Sequence, residues 1–315
     1  MASDSALPIS AGERAAALRN PSSDMGEAKF LDVGGIRTRY FDKGKGAPVV
    51  FFHGGNFGAP GGSSTARVWE RNFVPLATRL NAISVDRLGQ GYTDNPKTDA
   101  DYTMHAVVQH AAAFLKSLGK GPYHLAGHSR GGYVVCRLTM EFPELAKSCI
   151  IVSSGTLAPG TPHEHIIHAH PPVPRLSREG VRWGYERYSY NPKIVTEEWI
   201  DDTYAAAITE KNRAAIRKMV DEGLAKKLFL PQLGRQKAEC HRWIVERGMP
   251  CPTLLVWGFN DPSAQIEAAK RLLEMLVLKQ RRTEMRIFNK AGHFVYREHP
   301  EAFNGMLLDY VRQNG

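Results

Sequence analysis

Apolar positions in this chain gather into short unbroken runs. Pro48-Val49-Val50-Phe51-Phe52, the stretch from Pro122 to Gly127, Ile150-Ile151-Val152 and Pro252-Thr253-Leu254-Leu255-Val256-Trp257-Gly258 are of strand length and show little polar alternation. Such runs predict strands covered on both faces, the pattern of a parallel sheet. Met285-Arg286-Ile287-Phe288 adds a strand near the C-terminus, and Tyr133 to Glu141 reads as a helix that stops at Pro143. Between Ser153 and about Met249 the sheet rhythm breaks off. There Thr196 to Ala206 and Arg213 to Val220 carry apolar residues at helical spacing. The pattern predicts an α/β core over residues 29–155 and 250–315, a helical cap at 156–249 inserted after the strand at 150–152, which is the sixth in the fold that the motifs below imply, and a loose N-terminal arm at 1–28.

The run Gly127-His128-Ser129-Arg130-Gly131-Gly132 lies where a strand turns into a helix. A serine at so tight a turn has a strained backbone, and glycines two residues before and after it leave room for the bend. That is a nucleophile elbow. The strand at 252–258 leads into Phe259-Asn260-Asp261-Pro262, and the strand at 285–288 leads into Lys290-Ala291-Gly292-His293-Phe294. A carboxylate and a histidine thus follow Ser129 in loops at the C-terminal edge of a parallel sheet, where such sheets gather their reactive groups. Ser129, Asp261 and His293 are the predicted catalytic residues, with His293 as general base and Asp261 holding its tautomer.

These motifs resemble the α/β-hydrolases, and the likeness runs from about Phe30 to the C-terminus. His53-Gly54-Gly55-Asn56 stands where that family puts its oxyanion loop, and Asp86-Arg87-Leu88-Gly89-Gln90-Gly91-Tyr92-Thr93-Asp94 is similar to a family segment that reads as a structural turn. The resemblance implies oxyanion donors at the backbone N–H groups of Gly55 and Arg130 and a structural role for His53. The loop at His53 and the C-terminal Gly292 to Asn304 resemble the meta-cleavage product hydrolases, which split carbon–carbon bonds in ring-opened aromatic dienoates. The chain departs from them at three places. His128 replaces the usual asparagine before the serine, Phe294 replaces the tryptophan after the histidine, and the glycine-rich loop reads His53-Gly54-Gly55-Asn56-Phe57-Gly58. These departures lead to the expectation of a carboxylic ester hydrolase acting through an acyl-enzyme on an anionic half-ester, as the monoalkyl phthalate hydrolases do. Carbon–carbon cleavage of a dienoate is the alternative, and a non-catalytic binding protein of the same fold is the alternative of another class. Asn56, Arg130 and Phe294 are the expected substrate-binding residues, with Arg130 able to pair a carboxylate bidentately.

With 315 residues and 43% apolar composition, the chain can bury one large domain plus an insertion. The net charge of +9 is spread without a basic run or a nucleic-acid module, so it argues for an anionic small molecule rather than DNA or RNA. No apolar run approaches the roughly 20 residues of a membrane span, and Met1 to Met25 lacks an apolar signal core. Cys136, Cys149, Cys240 and Cys251 have neither metal-ligand nor disulfide-framework spacing. A cytoplasmic enzyme that uses no cofactor and no metal is therefore expected, with a homodimer left open. His163, His165, His168 and His170 could be read as a metal tract, although a proline-bounded loop accounts for them more simply. The aromatics of Trp183 to Tyr190 read equally as cap packing or pocket lining.

Overall fold

A computed structural model describes residues 24–59, 61–161 and 167–315. Eight strands form one sheet: β1 (Lys29–Asp32), β2 (Arg37–Lys43), β3 (Pro48–Phe52), β4 (Asn81–Val85), β5 (Tyr123–His128), β6 (Ala146–Val152), β7 (Thr253–Gly258) and β8 (Thr283–Phe288). Their order is β1-β2-β4-β3-β5-β6-β7-β8. The pairs β1–β2 and β2–β4 are antiparallel, and all the others are parallel. The unbroken apolar runs have a direct cause. Along β3, β5, β6 and β7 successive side chains enter opposite cores, with Val50, Phe52, Leu125, Ile151 and Leu255 on one face and Val49, Phe51, Ala126, Ile150 and Val256 on the other.

Helix α1 (Glu70–Leu76) precedes β4, α2 (Met104–Leu118) precedes β5 and α3 (Arg130–Glu141) follows it. Thr103 caps α2 by accepting from the Ala106 N–H at 3.1 Å, and Gly119 ends it in the left-handed region. Helix α3 begins three residues before the segment expected from periodicity, because the elbow leads straight into it. Between β6 and β7 come α4 (Arg178–Tyr188), α5 (Glu197–Ala207), α6 (Glu210–Ile216) and α7 (Leu230–Arg247). Thr196 caps α5 through the Trp199 N–H, α6 runs on into a wider π-type turn at Arg217–Asp221, and a second such turn at Ala225–Phe229 leads into α7. The chain closes with α8 (Ile266–Val277), the short α9 (Val295–Glu298) and α10 (Pro300–Gln313).

The end of the expected arm is not loose, because Met25 is buried against the core that holds Phe41 and Phe73. No helix among the described residues is long and apolar enough to cross a membrane.

Candidate active site

Ser129 sits between β5 and α3 with φ 55° and ψ −120°, outside the comfortable regions for a side-chain-bearing residue. Close packing holds it there. A Cβ on Gly127 would fall 2.1 Å from the Gly131 carbonyl oxygen, and one on Gly131 would fall 2.2 Å from that of Phe52. The elbow thus tolerates only glycine at both positions. Its backbone is tied to the neighbouring strand as the Ser129 N–H donates to the Val152 carbonyl at 2.9 Å.

Asp261 follows β7, and His293 follows β8, its parallel neighbour. The Nδ1 of His293 lies 2.7 Å from Asp261 Oδ2. The other carboxylate oxygen accepts from the N–H groups of Ser263 and Ala264 at 2.9 and 2.8 Å and from the Ser263 hydroxyl at 3.0 Å. With Nδ1–H donating to Asp261, the remaining nitrogen Nε2 is a bare acceptor. Ser129 and His293 line one cavity of about 390 Å³ between the core and the cap.

His128 is buried beside this pair. Its Nε2 lies 2.9 Å from the His293 carbonyl oxygen and therefore donates to it, while its Nδ1 faces the Tyr296 hydroxyl at 3.4 Å. Burial, reinforced by the nearby His293, holds its pKa well below the usual histidine range, so it is neutral. The residue before the serine is thus spent on holding the histidine loop.

The loop after β3 crosses directly over Ser129, since a Cβ on Gly54 would fall 2.9 Å from Ser129 Cβ. His53 uses both ring nitrogens locally. Nδ1–H donates to the Gly54 carbonyl at 2.8 Å and Nε2 accepts the Arg87 N–H at 3.1 Å, with burial pushing its pKa down to about 3. The Arg87 guanidinium donates to the Gly54 and Gly55 carbonyls, each at 2.7 Å. Because a trans peptide sets N–H opposite C=O, this clamp turns the N–H groups of Gly55 and Asn56 away from Arg87. Arg87, inside the segment that reads as a structural turn, is a site residue that the sequence pattern does not mark. Its signal was register, for β3 and β4 pair Phe52 with Val85 and so bring together the residues that follow each strand. Asp86 does hold the turn, accepting from Arg39 Nε and the N–H groups of Ala66 and Tyr92.

Gly55, Asn56, Arg130 and Phe294 all line the cavity. Asn56 Oδ1 is buried without a partner among the described residues. The Arg130 guanidinium lies 5.4 Å from the centre of the Phe229 ring, and its backbone N–H opens helix α3, at the positive end of the helix dipole. Phe294 meets cap aromatics edge-on, with Trp199 at 4.9 Å and Tyr185 at 5.5 Å between ring centres. The cap also contributes His168, Arg175, Trp183 and Tyr188 to the lining. Trp183, Tyr185 and Tyr188 therefore do both jobs that the sequence left open for them. Arg175, an exposed side chain on the lining, was not singled out by sequence because nothing in the cap's periodicity marks it. Of the histidine tract, His163 and His165 lie outside the described residues, while the His168 ring is 2.9 Å from the Tyr188 hydroxyl. No group of three or more metal-ligating side chains occurs among the described residues, and the four cysteines are free and buried.

A model of the alpha/beta hydrolase family matches residues 49–306, which takes in the elbow, the cap and both loops that carry Asp261 and His293. The chain belongs to this family. It is 26% identical to the 2-hydroxy-6-oxo-6-(2'-aminophenyl)hexa-2,4-dienoic acid hydrolase of Metapseudomonas resinovorans, over 90% of each chain. It is 25% identical to the 2-hydroxymuconate semialdehyde hydrolase of Pseudomonas sp. strain CF600, over 89% of this chain and 92% of the relative. The meta-cleavage product hydrolase from Pseudomonas fluorescens IP01 shares the fold at a TM-score of 0.74, with 21% identity over 91% of this chain and 98% of that one.

Proposed function

We propose that this alpha/beta hydrolase cleaves the carbon–carbon bond beside a ketone in a ring-opened aromatic dienoate, with Ser129 as nucleophile, His293 as general base and Asp261 as its orienting partner. The observation that carries this reading is extent: a relative named as a dienoate hydrolase matches 90% of both chains, so the similarity spans cap and core together. Ser129 Oγ attacks the ketone carbon as its proton passes to His293 Nε2, while the oxyanion is held by the N–H groups of Gly55 and Arg130. The carbon–carbon bond then breaks. For a 2-hydroxydienoate this requires that the 2-hydroxyl proton first move to the carbon beside the ketone, so that the electron pair leaves as a dienolate conjugated with the 2-oxo acid end and the dienolate oxygen takes the proton from His293. Water, deprotonated by the same imidazole, releases the acid from Ser129. The Arg130 side chain, at the cavity wall, pairs the substrate carboxylate, with Arg175 adding positive charge to the lining.

A second reading, an ester hydrolase acting on a half-ester such as a monoalkyl phthalate, is favoured by two residues. His128 and Phe294 stand where the dienoate hydrolases usually carry asparagine and tryptophan, and His128 has both nitrogens engaged by protein atoms. Both readings use the same acyl transfer to Ser129, and they differ in the leaving group. The deciding experiment compares kcat/KM for a ring-opened dienoate, a monoalkyl phthalate, its dialkyl form and a p-nitrophenyl ester. The proposal expects the dienoate to lead by at least about tenfold, with Arg130→Met raising its KM. Faster turnover of the monoalkyl phthalate hands the case to the ester, and turnover of none overturns both.

A further inference from the structure

Outside the Asp261–His293 pair, one further carboxylate holds the catalytic loop itself. Glu298 is the last residue of α9, and its two oxygens face different parts of the molecule. Oε1 accepts the Asn191 N–H at 2.9 Å, and Oε2 accepts the Gly292 N–H. Asn191 lies in the cap just beyond the end of α4, whereas Gly292 is the residue before His293. One side chain therefore bridges the cap backbone and the histidine loop.

The two backbones it joins have no slack between them. A Cβ on Gly292 would fall 2.6 Å from both the Tyr188 carbonyl oxygen and the Tyr190 nitrogen. The His293 N–H donates to that same Tyr188 carbonyl at 2.9 Å, and the Tyr188 ring centre lies 5.0 Å from that of the imidazole. His293 is thus met from four sides: by Asp261 from the β7 loop, by Ser263 at 3.2 Å from its Nδ1, by His128 from β5, and by Tyr188 from the cap. Burial raises the Glu298 carboxyl, and the N–H groups of Asn191, Gly292 and Tyr190 work against that rise. An ionised carboxylate offers acceptors to both sides at once, which neither an amide nor a hydroxyl can match.

We propose that Glu298 is a positioning residue for His293, fastening the end of α4 to the histidine loop so that the general base is aimed by the cap as well as by Asp261. The proposal rests on the reading of Ser129 and His293 as nucleophile and base. Its consequence is that the cap, besides roofing the cavity, is part of the mounting of the catalytic histidine. A shift of about 1 Å in such a group is enough to cost on the order of 100-fold in rate.

Titration of the sites with a fluorophosphonate separates positioning from plain support. The labelled fraction reports how much protein is folded, and the rate per labelled site reports how well Ser129 is activated. In Glu298→Gln the side chain keeps its shape but turns one acceptor into an NH₂ group that faces a backbone N–H. The expected result is a nearly full labelled fraction, per-site phosphonylation and kcat both reduced roughly 10- to 100-fold, and KM within about twofold of wild type. Gly292→Ala, which wedges the same two backbones apart, is expected to give the same signature. A wild-type per-site rate in Glu298→Gln, with or without a smaller labelled fraction, overturns the proposal. Should the glutamine variant fail to fold, Gly292→Ala decides by the same two quantities. A wild-type protein that does not label at Ser129 overturns the nucleophile assignment, and the proposal with it.

Discussion

At the scale of single residues, the groups that orient His293 and the loop after β3 are held by protein atoms before any substrate enters. Asp261 spends one oxygen on His293 and the other on Ser263 and Ala264, so the imidazole has one orientation. Ser129→Ala and His293→Ala are each expected to abolish turnover in folded protein, and because the two act as a unit the double variant should be no worse than either single one. Circular dichroism together with kcat/KM checks this, and substantial activity in either variant contradicts the assignment. Arg87 makes a subtler prediction. Burial, with Arg130 close by, lowers its guanidinium to about 9, so charge repulsion and desolvation are both tolerated for the sake of the Gly54 and Gly55 carbonyls. Arg87→Met should release those peptides and misplace an oxyanion donor, with a loss of up to about 2.7–4 kcal/mol of barrier stabilisation expressed in kcat rather than KM.

At the scale of elements, the cap is held by specific contacts as well as by apolar burial. Arg297 in α9 is fully buried, donates to Glu70 Oε1 at 3.0 Å and to the Val68 carbonyl at 2.8 Å, and places its guanidinium 3.9 Å from the centre of the Trp199 ring in α5. Arg297→Met would leave the buried Glu70 carboxylate without its ion-pair partner, at a cost of about 3–5 kcal/mol in urea unfolding, and Glu70→Gln added to it should recover part of that loss. Neither Arg297 nor Glu70 stands out in the sequence. The elements that did were those whose cause is local. Unbroken apolar runs marked β3, β5, β6 and β7 because each is covered on both faces, and the glycines around Ser129 marked the elbow because backbone approaches there exclude a Cβ. The Arg87 clamp and the Glu298 bridge join residues far apart in the chain, and no periodicity encodes such meetings. The α6 region shows the limit from the other side, for its helical spacing is real but its backbone widens into π-type turns beyond Ile216.

At the scale of the whole molecule, a two-faced sheet buries histidines as well as aliphatic side chains, and this sets how the fold responds to acid. Burial lowers His53 to about 3 and His110 and His124 each to about 4, and it holds His128 well below the normal range. Above about pH 6.5 these groups are neutral in both the folded and unfolded chain and cost nothing. Below it the unfolded chain takes up protons that the folded one refuses, so stability falls with pH by roughly 1.4 kcal/mol per unit for each histidine, down to its folded pKa. Thermal unfolding followed from pH 7 to pH 5 should show a steep drop in Tm, with more than one proton bound on unfolding. A flat profile over that range contradicts the neutral burial of these side chains.

The central claim, that Ser129 is an activated nucleophile served by His293, is tested most directly by peptide-mapped mass spectrometry after reaction with a fluorophosphonate. One adduct per chain is expected, on Ser129, formed quickly by the wild-type protein, far more slowly by His293→Ala and not at all by Ser129→Ala. An adduct on another residue, no adduct, or equal labelling of wild type and His293→Ala contradicts it.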